Sequence, residues 1–381
     1  MPLTQVSDNM IDTGIASSKV TGALAAVDGS ALTGLSAITK SASDPAIDTN
    51  PSGGLGTVWA NQSSGEMFVC TDATTNENVW TNVGAGTGDV QPWGFPGTIS
   101  GYNAGGALQG SPPSSVVIEK FSLTSDANAT DVGDLTTQRG NCAGQSSTTH
   151  GYTAGGINGP PGVNVIDKFS FTVDGNATDV GDLTVTRYGV AGQSSTTHGY
   201  TSGGSDGALK NVIDKFTFAA DADATDVGDL TTAKSNIAGI TSTTHGYIGA
   251  GYTGSNTNVI EKFSFSVDGN STDVGDMTTS RTTPAGQSSS THGYLSGGHP
   301  NVNIIEKFTF AVDANATDVG DLTVARGYTT GVSSVTHGYT TAGDSSSYLN
   351  VIDKFTFAVD ANATDVGDLT VNKYLPAGTQ H

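Results

Sequence analysis

The chain has 381 residues, a formal net charge of −21, 52 glycines and only 2 cysteines. The negative charge disfavours binding to nucleic acid or to an anionic membrane. The two cysteines lie in different regions and support neither a disulfide framework nor a zinc ligand set. The sequence has no basic and apolar leader and no apolar run long enough to cross a bilayer, so it predicts neither a signal peptide nor membrane insertion.

Residues 1–40 are small, polar and weakly apolar, and cannot build a core alone. The stretch SSKVTGALAAVDGSALTGL, which begins at Ser17, resembles the virion-proximal segments of bacteriophage tail fibres. The resemblance implies an attachment and oligomerisation segment. It also implies contacts with other virion proteins through residues 1–90 and assembly of the chain into a homotrimer.

Residues 41–92 are predicted to form a small β module followed by a linker, with strands at 57–60, 66–71 and 79–83. Trp59, Phe68 and Trp80 would supply its core. The module resembles the small hairpins with an SGE turn and a Trp that occur along phage fibres. Gly and Pro residues from 85 to 97 mark a domain boundary.

From residue 93 to 381 the motif V-I-[DE]-K recurs six times. Its isoleucines are 45 to 48 residues apart: Ile118, Ile166, Ile213, Ile260, Ile305 and Ile352. The copies contain V-x-x-x-F-x-F, with Leu123 in place of the second Phe in the first copy and Ile304 in place of the Val in the fifth. This alternation predicts a strand, and the apolar Ile between them predicts a strand covered on both faces. An Asp-rich turn and a short strand follow, and a block such as AGQSSTTHGYTSGG adds two more strands. Four short antiparallel strands in about 47 residues are typical of one propeller blade.

The repeat also contains R-x-x-x-A-G and a strand that ends in a glycine pair. The pairs are Gly105-Gly106, Gly155-Gly156, Gly203-Gly204 and Gly297-Gly298, and the other two copies have Ala250-Gly251 and Ala342-Gly343 at the same place. Together with the Asp turn, these features resemble the kelch motif, although DVGDL stands where kelch blades carry a Trp. The resemblance implies an all-β, six-bladed propeller over residues 93–381. The domain starts at a second strand and ends at a first strand, so the C-terminal strand is predicted to complete blade one and leave no open edge.

The Asp-rich turn has oxygen-bearing residues at positions 1, 3, 5 and 9, a spacing that calcium loops use. The candidate ligands are Asp174, Asn176, Thr178, Asp182, Asp221, Asp223, Thr225, Asp229, Asp313, Asn315, Thr317 and Asp321. Position 6 is Asp rather than Gly, however, and no Glu stands at position 12. A structural turn, in which Asp and Asn bond backbone amides, is therefore favoured over a calcium site.

Two further sets of residues recur in register. One is the histidine of T-H-G-Y, predicted to bond the neighbouring blade rather than a metal: His150, His198, His245, His292 and His337. The other is a basic residue after the last strand of each unit: Arg139, Arg187, Lys234, Arg281, Arg326 and Lys373. The kelch resemblance implies that these basic residues and the loops after the glycine pairs form the binding face. The alternative is that each basic residue pairs with an Asp of the neighbouring blade.

The loops after the glycine pairs differ most between repeats: INGPPGVN, SDGALKN, YTGSNTN, HPNVN and DSSSYLN. Variable loops on a repeated scaffold suit recognition. No catalytic motif is present, and every candidate acid or histidine recurs, whereas an active site breaks symmetry. The sequence thus predicts a non-enzymatic phage virion protein, a tail-fibre adhesin that recognises a host glycan or protein. The alternatives are a capsid or neck decoration protein and a propeller enzyme acting on carbohydrate.

Overall fold

The computed structural model describes residues 38–83, 97–109 and 114–381. The attachment segment predicted for residues 1–40 lies outside them apart from its last three residues. The chain divides into two compact units, Met1–Pro92 and Trp93–His381. All regular structure in the described ranges is β, as the repeat pattern predicts, and these ranges contain no helix that is long and apolar enough to span a membrane.

The described part of the first unit, residues 38–83, contains one four-stranded sheet. Its strands are β1 (Thr39–Ser41), β2 (Val58–Asn61), β3 (Met67–Asp72) and β4 (Val79–Asn82). They lie in sequence order, with β1 parallel to β2 and the other neighbours antiparallel. The three predicted strands are confirmed to within one residue. The strand β1 was not predicted because Thr-Lys-Ser has no apolar alternation.

The predicted core of this sheet is confirmed. Phe68 and Trp80 are fully buried, and Cys70 beside them is 1% exposed. Trp59 packs edge-on against Trp80, with 5.9 Å between ring centroids. Three aromatic side chains thus supply most of the apolar contact in a piece too small for a larger core.

The described part of the second unit contains these strands: β5 (Ser100–Ala104), β6 (Ala107–Leu108), β7 (Val117–Ser122), β8 (Thr130–Asp134), β9 (Ala143–Ser146), β10 (His150–Ala154), β11 (Val165–Ser170), β12 (Thr178–Asp182), β13 (Ala191–Ser194), β14 (His198–Ser202), β15 (Val212–Thr217), β16 (Thr225–Asp229), β17 (Ala238–Thr241), β18 (His245–Gly249), β19 (Thr257–Ser264), β20 (Thr272–Arg281), β21 (Ala285–Ser288), β22 (His292–Ser296), β23 (Ile304–Thr309), β24 (Thr317–Asp321), β25 (Thr330–Ser333), β26 (His337–Thr341), β27 (Leu349–Thr356), β28 (Thr364–Tyr374) and β29 (Ala377–Gln380).

These strands form antiparallel sheets in which four consecutive strands are neighbours, from β9–β12 to β25–β28. The remaining sheet has the order β29-β5-β7-β8, so the C-terminal strand pairs with β5 as predicted. The short strand β6 was not predicted, and it adds to the edge of β28. Both ends of this unit are therefore held in sheets by backbone hydrogen bonds.

The third strand of each sheet carries the V-I-[DE]-K motif and is covered on both faces, as predicted. In β11, Ile166 and Asp167 are both fully buried and Phe169 is 3% exposed. A β-bulge between the Ile and the acid recurs wherever the motif occurs. Because a bulge re-aims the side chains beside it, two successive residues can both point into protein.

Aromatic side chains join consecutive sheets. The Tyr152 ring of β10 lies 5.4 Å from the Phe216 ring of the next sheet and stacks on Phe218 at 4.9 Å between centroids. The same Tyr on Phe-x-Phe arrangement recurs around Tyr200, Tyr247 and Tyr294. The apolar core of this unit consequently lies between sheets, and each repeat needs its neighbour to bury its aromatic residues.

Candidate functional site

The first strand of each sheet in the second unit has a glycine at its second position. These are Gly144, Gly192, Gly239, Gly286, Gly331 and Gly378. A Cβ atom on Gly192 would overlap the backbone carbonyl oxygen of Gly144, and the same relation joins each of these glycines to one in a neighbouring sheet. Only glycine lets the backbones approach so closely.

Two series of hydrogen bonds link the first strands. In the first, a backbone N–H donates to a side-chain oxygen of the next sheet at 2.9–3.4 Å: Ser146 to Ser194, Ser194 to Thr241, Thr241 to Ser288, Ser288 to Ser333, Ser333 to Gln380, and Gln380 to Ser146. In the second, backbone N–H groups donate to backbone carbonyl oxygens at 2.8–3.3 Å: Asn141 to Leu375, Gly189 to Asn141, Asn236 to Gly189, Thr283 to Asn236, Thr329 to Thr283, and Leu375 to Tyr328.

Two cavities lie among these first strands, and the six glycines line both of them. One holds about 90 Å³ and is also lined by residues such as Asn141 and Asn236. The other holds about 60 Å³ and is bounded by the Ser, Thr and Gln side chains of the first series of hydrogen bonds. Pockets for drug-sized ligands enclose roughly 300–1,000 Å³. These cavities are therefore smaller than the usual site for a drug-sized ligand.

The six basic residues predicted for the binding face are instead buried. Their side chains are 0–1% exposed, and each lies 2.5–3.0 Å from a carboxylate that is equally buried. The pairs are Arg139–Asp167, Arg187–Asp214, Lys234–Glu261, Arg281–Glu306, Arg326–Asp353 and Lys373–Glu119, which we call the buried pairs. The assignment of these residues to an exposed binding face is therefore wrong.

The alternative considered from sequence, pairing across neighbouring repeats, describes the buried pairs. Each acid comes from the V-I-[DE]-K motif of the next repeat, where the bulge points it inward. The acid also binds the preceding repeat: Asp214 accepts hydrogen bonds from the backbone N–H and the hydroxyl of Thr184 at 2.9 and 2.7 Å. Although burial raises the pKa of Glu261, the Lys234 ammonium and nearby hydroxyl donors hold it below its ordinary value. The Glu261 carboxylate stays ionised because its partners replace water.

The Asp-rich turns make a second, more exposed set of ion pairs between repeats. The Lys of V-I-[DE]-K binds the first Asp of the next turn: Lys120–Asp174, Lys168–Asp221, Lys215–Asp268, Lys262–Asp313, Lys307–Asp360 and Lys354–Asp126. We call these the outer pairs. Their lysines are 21–30% exposed and their aspartates 50–58%. Asp174, Asp221 and Asp313, three of the candidate calcium ligands, are thus engaged by lysines.

The third residue of the turn also reaches the neighbouring repeat. Its Oδ1 atom accepts a hydrogen bond from a backbone N–H at 3.0–3.1 Å. The bonds are Asp134 N–H to Asn176, Asp182 N–H to Asp223, and Asp276 N–H to Asn315. Asx bonding to backbone amides is as predicted. It runs between repeats for the third residue of the turn and also locally, since Asp179 Oδ1 accepts the backbone N–H of Gly181 at 3.2 Å.

The remaining candidate calcium ligands lie in the fourth strands of their sheets. They are Thr178, Thr225, Thr317, Asp182, Asp229 and Asp321. Burial and the nearby Asp179 and Asp223 carboxylates raise the pKa of Asp182, so negative charge is locally in excess. In the described ranges no three His, Cys, Asp or Glu side chains are grouped closely enough to hold a metal ion. That these turns are structural rather than calcium-binding stays a prediction to be tested.

No model of a known protein family matches the chain, and no curated protein sequence matches it.

The five recurrent histidines begin the second strands of their sheets. Each ring Nδ1 lies 2.8 Å from the hydroxyl of the preceding Thr. Each backbone N–H donates to the hydroxyl of the residue three positions earlier at 2.9–3.0 Å. The bonds lie within the turn, so the predicted bond to a neighbouring repeat is wrong. Partial burial, together with the nearby lysine of an outer pair, lowers the pKa of all five histidines.

The loops after the glycine pairs are closed on themselves. Val163, Lys210, Thr257, Val302 and Leu349 each donate a backbone N–H to the second glycine of their own repeat at 2.8–3.2 Å. The loop residues between these anchors differ in every repeat. A repeated anchor therefore presents side chains that do not repeat.

Four aromatic residues on these loops and on the segments beside them contact one another. His299 lies 5.4 Å from Tyr328, Tyr328 lies 5.6 Å from Tyr374, and Tyr374 lies 4.5 Å from Tyr348, between ring centroids. We call these residues the aromatic strip. His299 is exposed and the three tyrosines are half-buried.

The aromatic strip was missed from sequence, although its residues break the repeat. Asp344, which begins the loop that carries Tyr348, lies beside it. Burial raises the pKa of Tyr374 to about 12, aided by the Tyr348 hydroxyl and the Asp344 carboxylate, and burial and Asp344 raise the pKa of Tyr328. Both phenols are protonated at neutral pH and can donate hydrogen bonds.

Proposed function

We propose that residues 93–381 form a closed six-bladed kelch-like propeller, and that the chain is a bacteriophage virion protein of the tail-fibre type whose propeller recognises the host surface. Support for closure comes from the two series of hydrogen bonds between first strands. Gln380 donates to Ser146 and Asn141 donates to Leu375, so both series join the last repeat to the first complete one. A closed ring also explains why the C-terminal strand pairs with β5.

The observation that carries the recognition function is the contrast between scaffold and loops. Twelve ion pairs and the first-strand glycines repeat with the sheets, whereas the loops after the glycine pairs do not. A scaffold that holds unlike loops at one end is the arrangement that binding proteins use for specificity. We favour an adhesin over an enzyme acting on carbohydrate because every candidate acid or histidine recurs in the sequence, whereas an active site breaks the symmetry of a repeat. Attachment through residues 1–90 and trimeric assembly belong to the same proposal.

The test is immunogold labelling of intact particles that carry the gene, with antibody raised against the full chain. Gold at fibre tips or on the tail is expected for an adhesin. Gold over the capsid or neck would favour a decoration protein instead, and particles without gold would remove the virion assignment. Saturable binding of the full chain to host cells, competed by unlabelled protein, is expected only for the adhesin.

A further inference from the structure

We propose that the aromatic strip is the ligand site of the second unit and that its ligand is a neutral oligosaccharide, whose sugar rings stack on the His299 and tyrosine faces. This inference rests on the proposed host-surface recognition and names the site and the chemical class of the ligand. The position and size of the strip and the charge of the second unit support it.

The rings of the aromatic strip take no part in the repeated packing of the scaffold, although the backbone carbonyl of Tyr328 accepts from Leu375 in the second series of hydrogen bonds. At the position of Tyr328 the other repeats have Asn141, Gly189, Asn236, Thr283 and Leu375. Tyr188 stands at the position of Tyr374, and in the described ranges its ring packs on no other aromatic ring. The aromatic contacts that hold the sheets together are the separate Tyr on Phe-x-Phe stacks, whose tyrosines are at most 3% exposed. Aromatic rings left half-buried, outside the core, are available to a ligand.

The charge of the second unit argues for a neutral ligand. Every Lys and Arg in the ranges 97–109 and 114–381 is within 4 Å of a carboxylate, in a buried pair, an outer pair or the Lys210–Asp206 pair. No unpaired cation remains there to bind a phosphate, sulfate or sialic acid carboxylate, while Asp344 lies beside the strip. An anionic glycan would therefore be repelled.

A neutral sugar fits the chemistry that remains. A pyranose presents C–H groups on one face and hydroxyls at its edge, and the face of an aromatic ring is electron-rich and apolar. The Tyr328 and Tyr374 hydroxyls can donate to sugar oxygens, and the Asp344 carboxylate can accept from sugar hydroxyls. Small-molecule sites are usually lined by apolar and aromatic side chains with a few polar groups beside them.

Size distinguishes the classes of ligand. Successive contacts join four rings, from His299 through Tyr328 and Tyr374 to Tyr348, and more than one ring favours an oligosaccharide over a monosaccharide. A stable protein partner usually engages about 20–30 residues on each side, many more than the strip offers.

The experiment is a glycan array probed with the full chain, carrying neutral hexose, N-acetylhexosamine and deoxyhexose oligosaccharides together with sialylated ones. The variant Tyr328→Ala/Tyr374→Ala removes the centre of the strip. The matched control Tyr188→Ala/Tyr252→Ala removes two tyrosines from other repeats. Melting temperatures establish that both variants are folded, and Tyr328→Phe/Tyr374→Phe keeps the rings if the alanine variant does not fold.

We expect the wild type to bind neutral oligosaccharides saturably, and the strip variant to lose about tenfold or more in affinity, as at binding hot spots. The control should stay within about twofold, as for ordinary surface substitutions. With the phenylalanine variant, affinity should fall less than with alanine because stacking remains.

Four results would overturn the inference. They are equal binding by wild type and strip variant, binding only to sialylated glycans, binding only to benzyltrimethylammonium in a parallel titration, and cell binding with no glycan binding. In the first and last of these the host-surface function survives and only the site assignment fails. If the wild type binds neither glycans nor host cells, the proposed function fails as well.

Discussion

The guanidinium of Arg187 lies 2.9 Å from the carboxylate of Asp214 in the next sheet, and neither side chain is exposed to solvent. The six buried pairs show a rule of length. Lysine occurs only opposite glutamate, at Lys234–Glu261 and Lys373–Glu119, whereas arginine occurs opposite both acids. Each buried pair therefore contains at least one of the two longer side chains, arginine or glutamate, to span the distance between sheets.

This rule predicts a rescue. We expect Arg187→Lys to destabilise the protein by about 2–4 kcal/mol, because a lysine opposite aspartate leaves buried charge poorly paired. Asp214→Glu in the same chain should restore part of that loss, since Lys–Glu is a pair the scaffold already uses. Urea unfolding of the two single variants and the double variant gives the coupling energy.

The outer pair Lys215–Asp268 is the control for this cycle. Its lysine is 22% and its aspartate 51% exposed, so solvent screening should limit the effect of Lys215→Met to about 0.5 kcal/mol. Strictly additive single variants at 187 and 214, or a loss no larger than that of Lys215→Met, would contradict the rule.

A second expectation concerns the close approach of first strands. Gly192→Ala would place a methyl group against the Gly144 carbonyl, and we expect it to cost about 2–3 kcal/mol, as overpacking does. Gly175→Ala is the matched control, because nothing lies within 4 Å of a Cβ there and its φ is not left-handed. The control should change stability by no more than about 0.5 kcal/mol. Equal melting temperatures for the two variants would refute the packing argument.

The histidines should make stability depend on pH. Their folded-state pKa values lie below the ordinary 6.5, so near and below pH 6.5 the unfolded chain binds more protons than the folded one. The free energy of unfolding must then rise with pH in this range. We expect stability to be full above about pH 7.5 and to fall as the pH drops through 6.5.

The pH measurement is urea unfolding at pH 7.5, 6.5 and 5.5, with a variant in which all five histidines are asparagine. The wild type should lose stability over this interval and the variant should lose less. A flat wild-type profile, or the same slope in both proteins, would show that the histidines are not responsible.

Calcium provides a fourth test. Asp174 is bound to Lys120, and Asn176 Oδ1 to the backbone of Asp134, so a bound ion would have to compete with contacts already made. We therefore expect the same melting temperature in 1 mM EDTA as in 2 mM CaCl₂, concentrations chosen to saturate any site of physiological affinity. A rise with calcium, growing as the logarithm of its concentration, would establish binding. Asp174→Asn should then reduce the rise rather than abolish it, because the equivalent turns at Asp221 and Asp313 remain.

The amino-acid sequence by itself determined the elements of this protein. The V-I-[DE]-K repeat predicted the four-stranded units, and the incomplete units at 99–106 and 374–378 predicted that the C-terminal strand pairs with the start of the domain. Trp59, Phe68 and Trp80 predicted the small core of the first unit. These features depend on apolar periodicity and on the order of segments along the chain, and both can be read directly from the sequence.

Only the tertiary structure decided what the recurrent charged residues do. Arg187 suits an exposed face as well as a buried pair when it is read beside its sequence neighbours. Its partner, Asp214, is brought to it by the packing of one sheet on the next and by a bulge that turns the acid inward. The aromatic strip depends in the same way on Tyr328, Tyr348 and Tyr374, which meet only after the sheets have packed. Burial, and contact between residues far apart in the sequence, depend on how the sheets pack. Local sequence patterns do not encode that packing.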